Sequence, residues 1–278
     1  MTIVVTGATG NVGRPLVTEL ARAGAHVRAV SRHPDTAGFP SGVEVLASTA
    51  AAVRGASAVF LNSRGVGADL SAVVDLARSA GVTRLVALSA INVDEDFSRQ
   101  PSRFRGDRNR EVEQYAVESG LEWVSLRPTL FVTNFAGMWS AQIQSGDVVA
   151  GPYATASNAP IVERDIAAVA ATAFLTDDLV GQKLPLTGPQ ALTNAELVET
   201  VGAVLGRPLR YHDVPVGVVR QRFVDIGFSG EFADAYTNLL AMTVDTPALV
   251  THEVDKILGR PAQSFAQWVD ENRDVFSG

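Results

Sequence analysis

The chain is expected to take a doubly wound α/β fold, a parallel sheet covered by helices on both faces, with a smaller, mainly α-helical cap towards the C-terminus. Three observations predict it. Short Val/Ile/Leu/Ala runs alternate with amphipathic stretches through residue 126. Glycines close those stretches at Gly24, Gly81 and Gly120. Gly7, Gly10 and Gly13 follow the first apolar run at a spacing of three.

Residues 3–6 form the first strand, on the apolar run Ile3-Val4-Val5. A helix follows over 12–23, with Val12, Leu16, Val17, Leu20 and Ala21 on one face. Residues 26–30 alternate apolar and polar as a second strand ending at Ser31-Arg32. Pro34, Gly38, Pro40 and Gly42 mark a loop, and 43–46 a third strand. The alanine-rich 48–55 has room for one or two helical turns at most. Residues 58–62 make strand four. Residues 68–80 make a helix with Leu70, Val73, Val74 and Ala77 inward, and 85–89 strand five. A polar loop over 92–107 leads to a helix over 108–119 and a sixth strand over 122–126, stopped by Arg127-Pro128. Short connections between such strands impose right-handed crossovers and the order 3-2-1-4-5-6, with a ligand where the order reverses.

Beyond this the pattern is less regular. Asp165 reads as the N-cap of a helix over 166–175, and 183–186 as one more strand. Asn194 reads as the cap of a helix ending at Leu205. Residues 217–240 read as helix broken near Gly227, with two short helices after it, near 250–258 and from 264. Residues 1–188 are expected to form the body, segment 130–161 leaving it to join a cap completed by 189–278.

The glycine spacing acquires a meaning between a strand and a helix. Gly7 turns the chain, Gly10 leaves the backbone bare for a pyrophosphate, and Gly13 lets helix and strand approach. Free N–H groups and the positive end of the helix then face the phosphates. Thr6 and Gly7 open this motif and are counted with the cofactor site. The alternative is a glycine turn that binds nothing. At the end of the second strand an acidic residue would hold the adenosine ribose. The chain has Ser31-Arg32-His33 instead. An Arg fork assisted by the Ser31 hydroxyl suits a phosphate, so NADP(H) is expected over NAD(H). Otherwise Arg32 is an exposed strand-end charge. Asn62 and Ser63, beside the same crevice, are expected to reach the cofactor, or else to form only a polar turn.

The 278 residues are 46% hydrophobic, enough for a large α/β domain and an appendage. A net charge of -7 argues against nucleic acid, whose binding rests on neutralising phosphates. The absence of cysteine excludes disulfides and thiol catalysis. No charged leader precedes the first strand, and the longest apolar run, 166–175, is about half of what spans a bilayer. A cytoplasmic protein is expected, acting on a small molecule, with monomer or homodimer left open. The histidines, 26, 33, 212 and 252, have no ligand spacing, and no metal is expected. Arg99, Arg103, Arg105, Arg108 and Arg110 form either a solvated face or a surface attracting an anion. Trp123 and Trp268 read as core, and Trp139, in an irregular stretch, as a pocket residue.

Several segments carry a family resemblance: TGATGNVG at the start, SRHP after the second strand, SGLEWVSLRPTLFVTNF over 119–135, VERDIAAVAA, and LTGPQALTNAELVETVGAVLGRP. Together they resemble the NmrA-like, atypical branch of the short-chain dehydrogenase/reductase superfamily, on a Rossmann-like fold. The resemblance implies that Thr9, Gly10, Asn11 and Val12 contact the pyrophosphate and Arg32 the 2′-phosphate. It places Arg127-Pro128-Thr129 near the nicotinamide, and Phe131, Asn134, Phe135 and Trp139 on the substrate side. The superfamily's Tyr-x-x-x-Lys pair, in which Lys lowers the Tyr pKa, is absent. Asn109 stands where extended relatives carry Lys, and Asn does no acid–base work at neutrality. Ser89 and Asn109 are expected either to touch substrate or to be a strand-end cap and a surface helix position. Ser48-Thr49 replaces the family's adenine-contacting Asp. The function expected is an NADPH-dependent reductase of a quinone-like, conjugated aromatic, carbonyl or imine compound, with the catalytic residue unassigned. The alternatives are an NADP(H) sensor without turnover, or an isomerase or lyase on the same fold.

Overall fold

The computed structural model describes residues 1–277. The chain opens with β1 (Thr2–Val5), α1 (Gly13–Arg22), β2 (His26–Val30), β3 (Glu44–Leu46), α2 (Thr49–Val53) and β4 (Ala58–Leu61). It continues with α3 (Ser63–Val66), α4 (Leu70–Ser79), β5 (Arg84–Leu88), α5 (Asn109–Glu118) and β6 (Glu122–Pro128). Next come α6 (Val132–Ser145), β7 (Val148–Gly151), β8 (Ser157–Asn158), α7 (Glu163–Leu175) and β9 (Lys183–Leu186). It closes with β10 (Leu192–Thr193), α8 (Asn194–Leu205), β11 (Arg210–Asp213), α9 (Val216–Asp225), α10 (Gly230–Ala241), α11 (Glu253–Leu258) and α12 (Phe265–Glu271).

The central sheet is parallel, in the order β3-β2-β1-β4-β5-β6-β9. The six expected strands thus take the expected order, and 183–186 adds a seventh. Both faces of the sheet are covered, which is why its strands are apolar on alternate residues of either parity. Val5 and Phe60 pack with Leu16, Leu20, Ile166 and Val169 on one side. Val4 and Val59 pack with Val74 and Val112 on the other.

A third core belongs to the cap, where Val132, Phe135, Trp139, Ile143, Leu197, Val201, Phe265 and Trp268 meet. The chain enters and leaves this cap at adjoining points. Val132 N donates to Ile161 O at 3.0 Å, and Ile161 N to Leu130 O at 3.0 Å. It crosses between the halves again later, since Val254 and Ala262 are buried with α1 and α7 before α12 rejoins the cap. Trp123 is partly buried beside the second core.

Four sequence expectations are corrected. β6 does not stop at Arg127-Pro128 but includes both. Proline lacks only the donor, and its carbonyl still accepts from Ile91 N at 3.0 Å. Asp165 caps nothing: α7 begins at Glu163, and the Asp165 carboxylate, 1% exposed, accepts from Arg260 Nη2 (2.7 Å) and Gln263 N (2.8 Å). Thr193, not Asn194, caps α8, in a reciprocal capping box with Glu196. Asn194 lies one residue on and turns inward, donating to Tyr153 O at 3.0 Å. The stretch holding Trp139 is the regular helix α6. The small strand pairs β7/β11 and β8/β10 and the helix α3 were not foreseen. Among the described residues no helix is long and apolar enough to cross a membrane, and no cluster of three or more His, Cys, Asp or Glu is placed to hold a metal.

Candidate functional site

Parallel strands bring their carboxyl ends to one edge of the body. Thr6-Gly7, Ser31-Arg32, Asn62-Ser63 and Ser89-Ala90 follow β1, β2, β4 and β5, and Thr129-Leu130 follows β6. The first of these turns is built on close backbone approach. Gly7 has φ +63°, and a Cβ there would meet the Asn62 side chain. A Cβ on Gly13 would lie 2.2 Å from Gly7 O, and one on Gly65 2.2 Å from Gly7 N. The Gly7 backbone is therefore clasped between the first turns of α1 and α3. Gly65 is a third participant that the sequence spacing of 7, 10 and 13 does not reveal.

Above this clasp Gly10 N donates to Gly7 O (3.0 Å), and Arg14 N to Gly10 O (3.0 Å). The backbone N–H groups of Asn11, Val12 and Gly13 have no acceptor among the described residues. Unpartnered donors at the first turn of a ten-residue helix, with the positive end of its dipole behind them, suit a pyrophosphate. Thr9, Gly10 and Asn11 are exposed, whereas the Val12 side chain is core, so Val12 offers only its N–H. Thr6 is different. Its hydroxyl donates to Phe60 O (2.7 Å) and accepts from Asn62 N (2.9 Å), so it ties β1 to β4, and with its one donor spent and the side chain fully buried it offers a ligand no hydrogen.

The glycine turn is joined to the end of β2 by Ala8 N donating to Val30 O. Ser31 is buried, and its oxygen accepts from His33 N at 3.1 Å. Arg32 is exposed and makes no hydrogen bond or ion pair among the described residues. A guanidinium left unpaired beside an anion-binding turn fits a 2′-phosphate. Asn62 caps α3 by accepting from Arg64 N (3.0 Å), and Ser63 Oγ accepts from Arg108 N (3.2 Å). Asn62 thus serves its own turn, whereas Ser63 ties that turn to the start of α5, where Arg64 also pairs with Asp107.

Across the edge, Ser89 Oγ donates to Asn109 O at 3.2 Å, and Asn109 Nδ2 to Ser102 Oγ at 3.4 Å. The sequence pair thus does meet, but neither group titrates near neutrality. Arg127 has its side chain committed within the protein. Its guanidinium is spent on Glu113 (2.6 and 2.8 Å) and Asp94 (2.7 Å). Ser125 Oγ (2.6 Å) and Lys183 Nζ (2.8 Å) complete the cluster on Glu113. Burial alone would raise the Glu113 pKa; the bonds from Arg127, Lys183 and Ser125 outweigh it and bring the group to about 2. Pro128 and Thr129 stay at the strand end, Thr129 Oγ1 donating to Ala159 O at 2.6 Å.

Of the expected substrate-side residues, Phe131 is partly buried at the cap's entry, bridged to Ile161, and Asn134 is exposed. Phe135 and Trp139 are corrected: at 2% and 5% exposure they pack against each other at a tilt, and edge-to-face against Phe265 and Tyr211 respectively, inside the cap. The arginine cluster builds its own loop. Arg103 and Arg110 lie over Phe97, Arg105 lies over Phe228 of the cap, and Arg99 pairs with Glu95.

A family model described as the NmrA-like family matches residues 1–269. The chain is 34% identical, over 99% of both chains, to the (4-alkanoyl-5-oxo-2,5-dihydrofuran-3-yl)methyl phosphate reductase of Streptomyces griseus. It is 30% identical, again over 99% of both, to the NAD(P)H azoreductase of Xenophilus azovorans. Among solved structures it is similar to the NADPH-dependent quinone oxidoreductase of Escherichia coli in complex with NADPH. The TM-score is 0.83 at 19% identity, covering 98% of this chain and 100% of that one, a likeness of fold.

Proposed function

The chain belongs to the NmrA-like family, and on that premise we propose that it is an NADPH-dependent reductase of a conjugated small molecule. The observation that carries this is the set of unpartnered N–H groups at Asn11, Val12 and Gly13 with the unpaired Arg32 beside it. Two relatives at 30% identity or more, both reductases by name, support it. Residues 1–188 are read as the cofactor-binding body and 189–278, with 130–161, as the substrate cap.

In this reading the glycine turn holds the pyrophosphate, Arg32 and Ser31 the 2′-phosphate, and Asn62 and Pro128 flank the cofactor. NADPH, when bound, supplies the hydride. The chain supplies position, which can account for a large part of a rate enhancement. Ser89, Ser102 and Asn109 contribute neutral hydrogen-bonding groups that orient a polar acceptor. They provide no acid, so the favoured acceptor is one whose reduced form takes its proton from water. Quinones, azo compounds and double bonds conjugated to a carbonyl meet that requirement, and the first relative's name describes a ring double bond conjugated to a lactone carbonyl.

The test is to follow NADPH absorbance with quinones, azo dyes and acyl-butenolides as acceptors. Steady consumption with one class supports the reading. Tight NADPH binding with no turnover on any acceptor overturns it in favour of a protein that binds the cofactor without chemistry.

A further inference from the structure

One buried carboxylate has no part in the scheme above. Glu163 opens α7, is 5% exposed, and makes no ion pair among the described residues. Arg164, the next residue, turns instead to Glu271 and Gln263 on the cap. A carboxylate left unpaired at this depth is costly, and burial raises its pKa, opposed mainly by the Thr133 hydroxyl. Thr133 Oγ1 donates to Glu163 Oε1 and itself accepts from Asn11 Nδ2 at 3.0 Å. The three side chains form a directed chain: amide to hydroxyl to carboxylate. Among the described residues, the bond from Asn11 is the one hydrogen bond joining residues 7–13 to segment 130–161.

The chain's two anchors are themselves fixed. Thr133 lies in the first turn of α6 and Glu163 in that of α7, and the two turns are held together by the Phe131–Ile161 bridge. Asn11 is not fixed otherwise. It is exposed, follows Gly10, and carries one of the unpartnered N–H groups. Tethering its side chain restricts the backbone that presents those donors, so less order is lost when an anion arrives.

We propose that Glu163 and Thr133 are positioning residues for the cofactor: through Asn11 they latch the glycine turn to the cap and hold its N–H groups ready for the pyrophosphate. The proposal rests on the reading of that turn as the cofactor's.

The test is NADPH affinity by fluorescence titration of the full chain and four variants. Thr133→Val keeps the volume and loses the hydroxyl, and Thr133→Ser does the reverse. Glu163→Ala removes the acceptor, and Glu163→Gln keeps one. The expected result is roughly tenfold weaker binding for the Val and Ala variants. The Ser and Gln variants should stay within about twofold of the parent. A packing role predicts the opposite order at position 133, Val binding as the parent does and Ser weakened, and that result overturns the proposal. So does equal affinity of all five proteins. Failure of the parent itself to bind NADPH strikes the proposed function instead. Melting temperatures without cofactor monitor folding, and should Thr133→Val not fold, the Ala and Gln pair at 163 decides.

Discussion

In the proposed function, Arg32 is the residue on which cofactor choice turns. A guanidinium with no partner in the free protein forfeits nothing when it meets a phosphate, so its removal is felt almost wholly in the complex. Arg32→Ala is expected to weaken NADPH by about 1.5–3 kcal/mol while leaving NADH nearly unchanged. Titrating both nucleotides checks this, and equal losses would remove the 2′-phosphate assignment. Type and position along the chain were legible for single residues: Ser31 and Arg32 follow β2 and Asn11 precedes α1, as the sequence indicates. Their roles were not, where contact partners decide. Nothing in the sequence says that Phe135 and Trp139 turn into the cap's own core, that Arg127 is drawn to Glu113 across a strand and a helix, or that the Thr6 hydroxyl is consumed by β4.

At the scale of elements, the clasp around Gly7 is sensitive to a single carbon. Gly13→Ala and Gly65→Ala each place a methyl against backbone that cannot yield. Each is expected to cost about 1–3 kcal/mol of stability and to weaken NADPH binding. Gly137, exposed within α6 with nothing near its missing Cβ, is the contrast. Gly137→Ala should stabilise by up to about 1 kcal/mol. Thermal melts of the three variants test the set. The body's elements were readable because each combines a strong apolar period with a glycine stop. The cap's were harder. Its strands are two to four residues long, and β11 reads Arg-Tyr-His-Asp, with no apolar alternation. α6 begins at Val132, its N-cap Phe131 offers no side-chain cap, and a glycine lies in its middle, so neither its start nor its continuity is signalled. Asp165 imitates a cap because an acid precedes an apolar run, although the helix starts two residues earlier.

The whole molecule responds to acid through Glu113, which links α5 to β6 and, by way of Lys183, to the edge strand β9. Its folded pKa of about 2 lies below the ordinary 4.5. The stability it contributes is therefore complete above the ordinary value and is lost as pH falls towards the folded one. Allowing for solvent at the half-exposed Lys183, that contribution is on the order of 2–3 kcal/mol. Glu113→Gln should lower denaturant stability at neutral pH by about that much and flatten its decline between pH 4.5 and 2. An unchanged acid profile would contradict the assignment. Repeated traffic of the chain between body and cap has a separate consequence. Neither half is a contiguous stretch that can be cut out and left intact, since α7 and α11 serve the sheet while α6, α8 and α12 build the other core. Heat should accordingly find one seam to open rather than two, and scanning calorimetry of the free protein should trace a single endotherm, with no shoulder for a cap melting on its own.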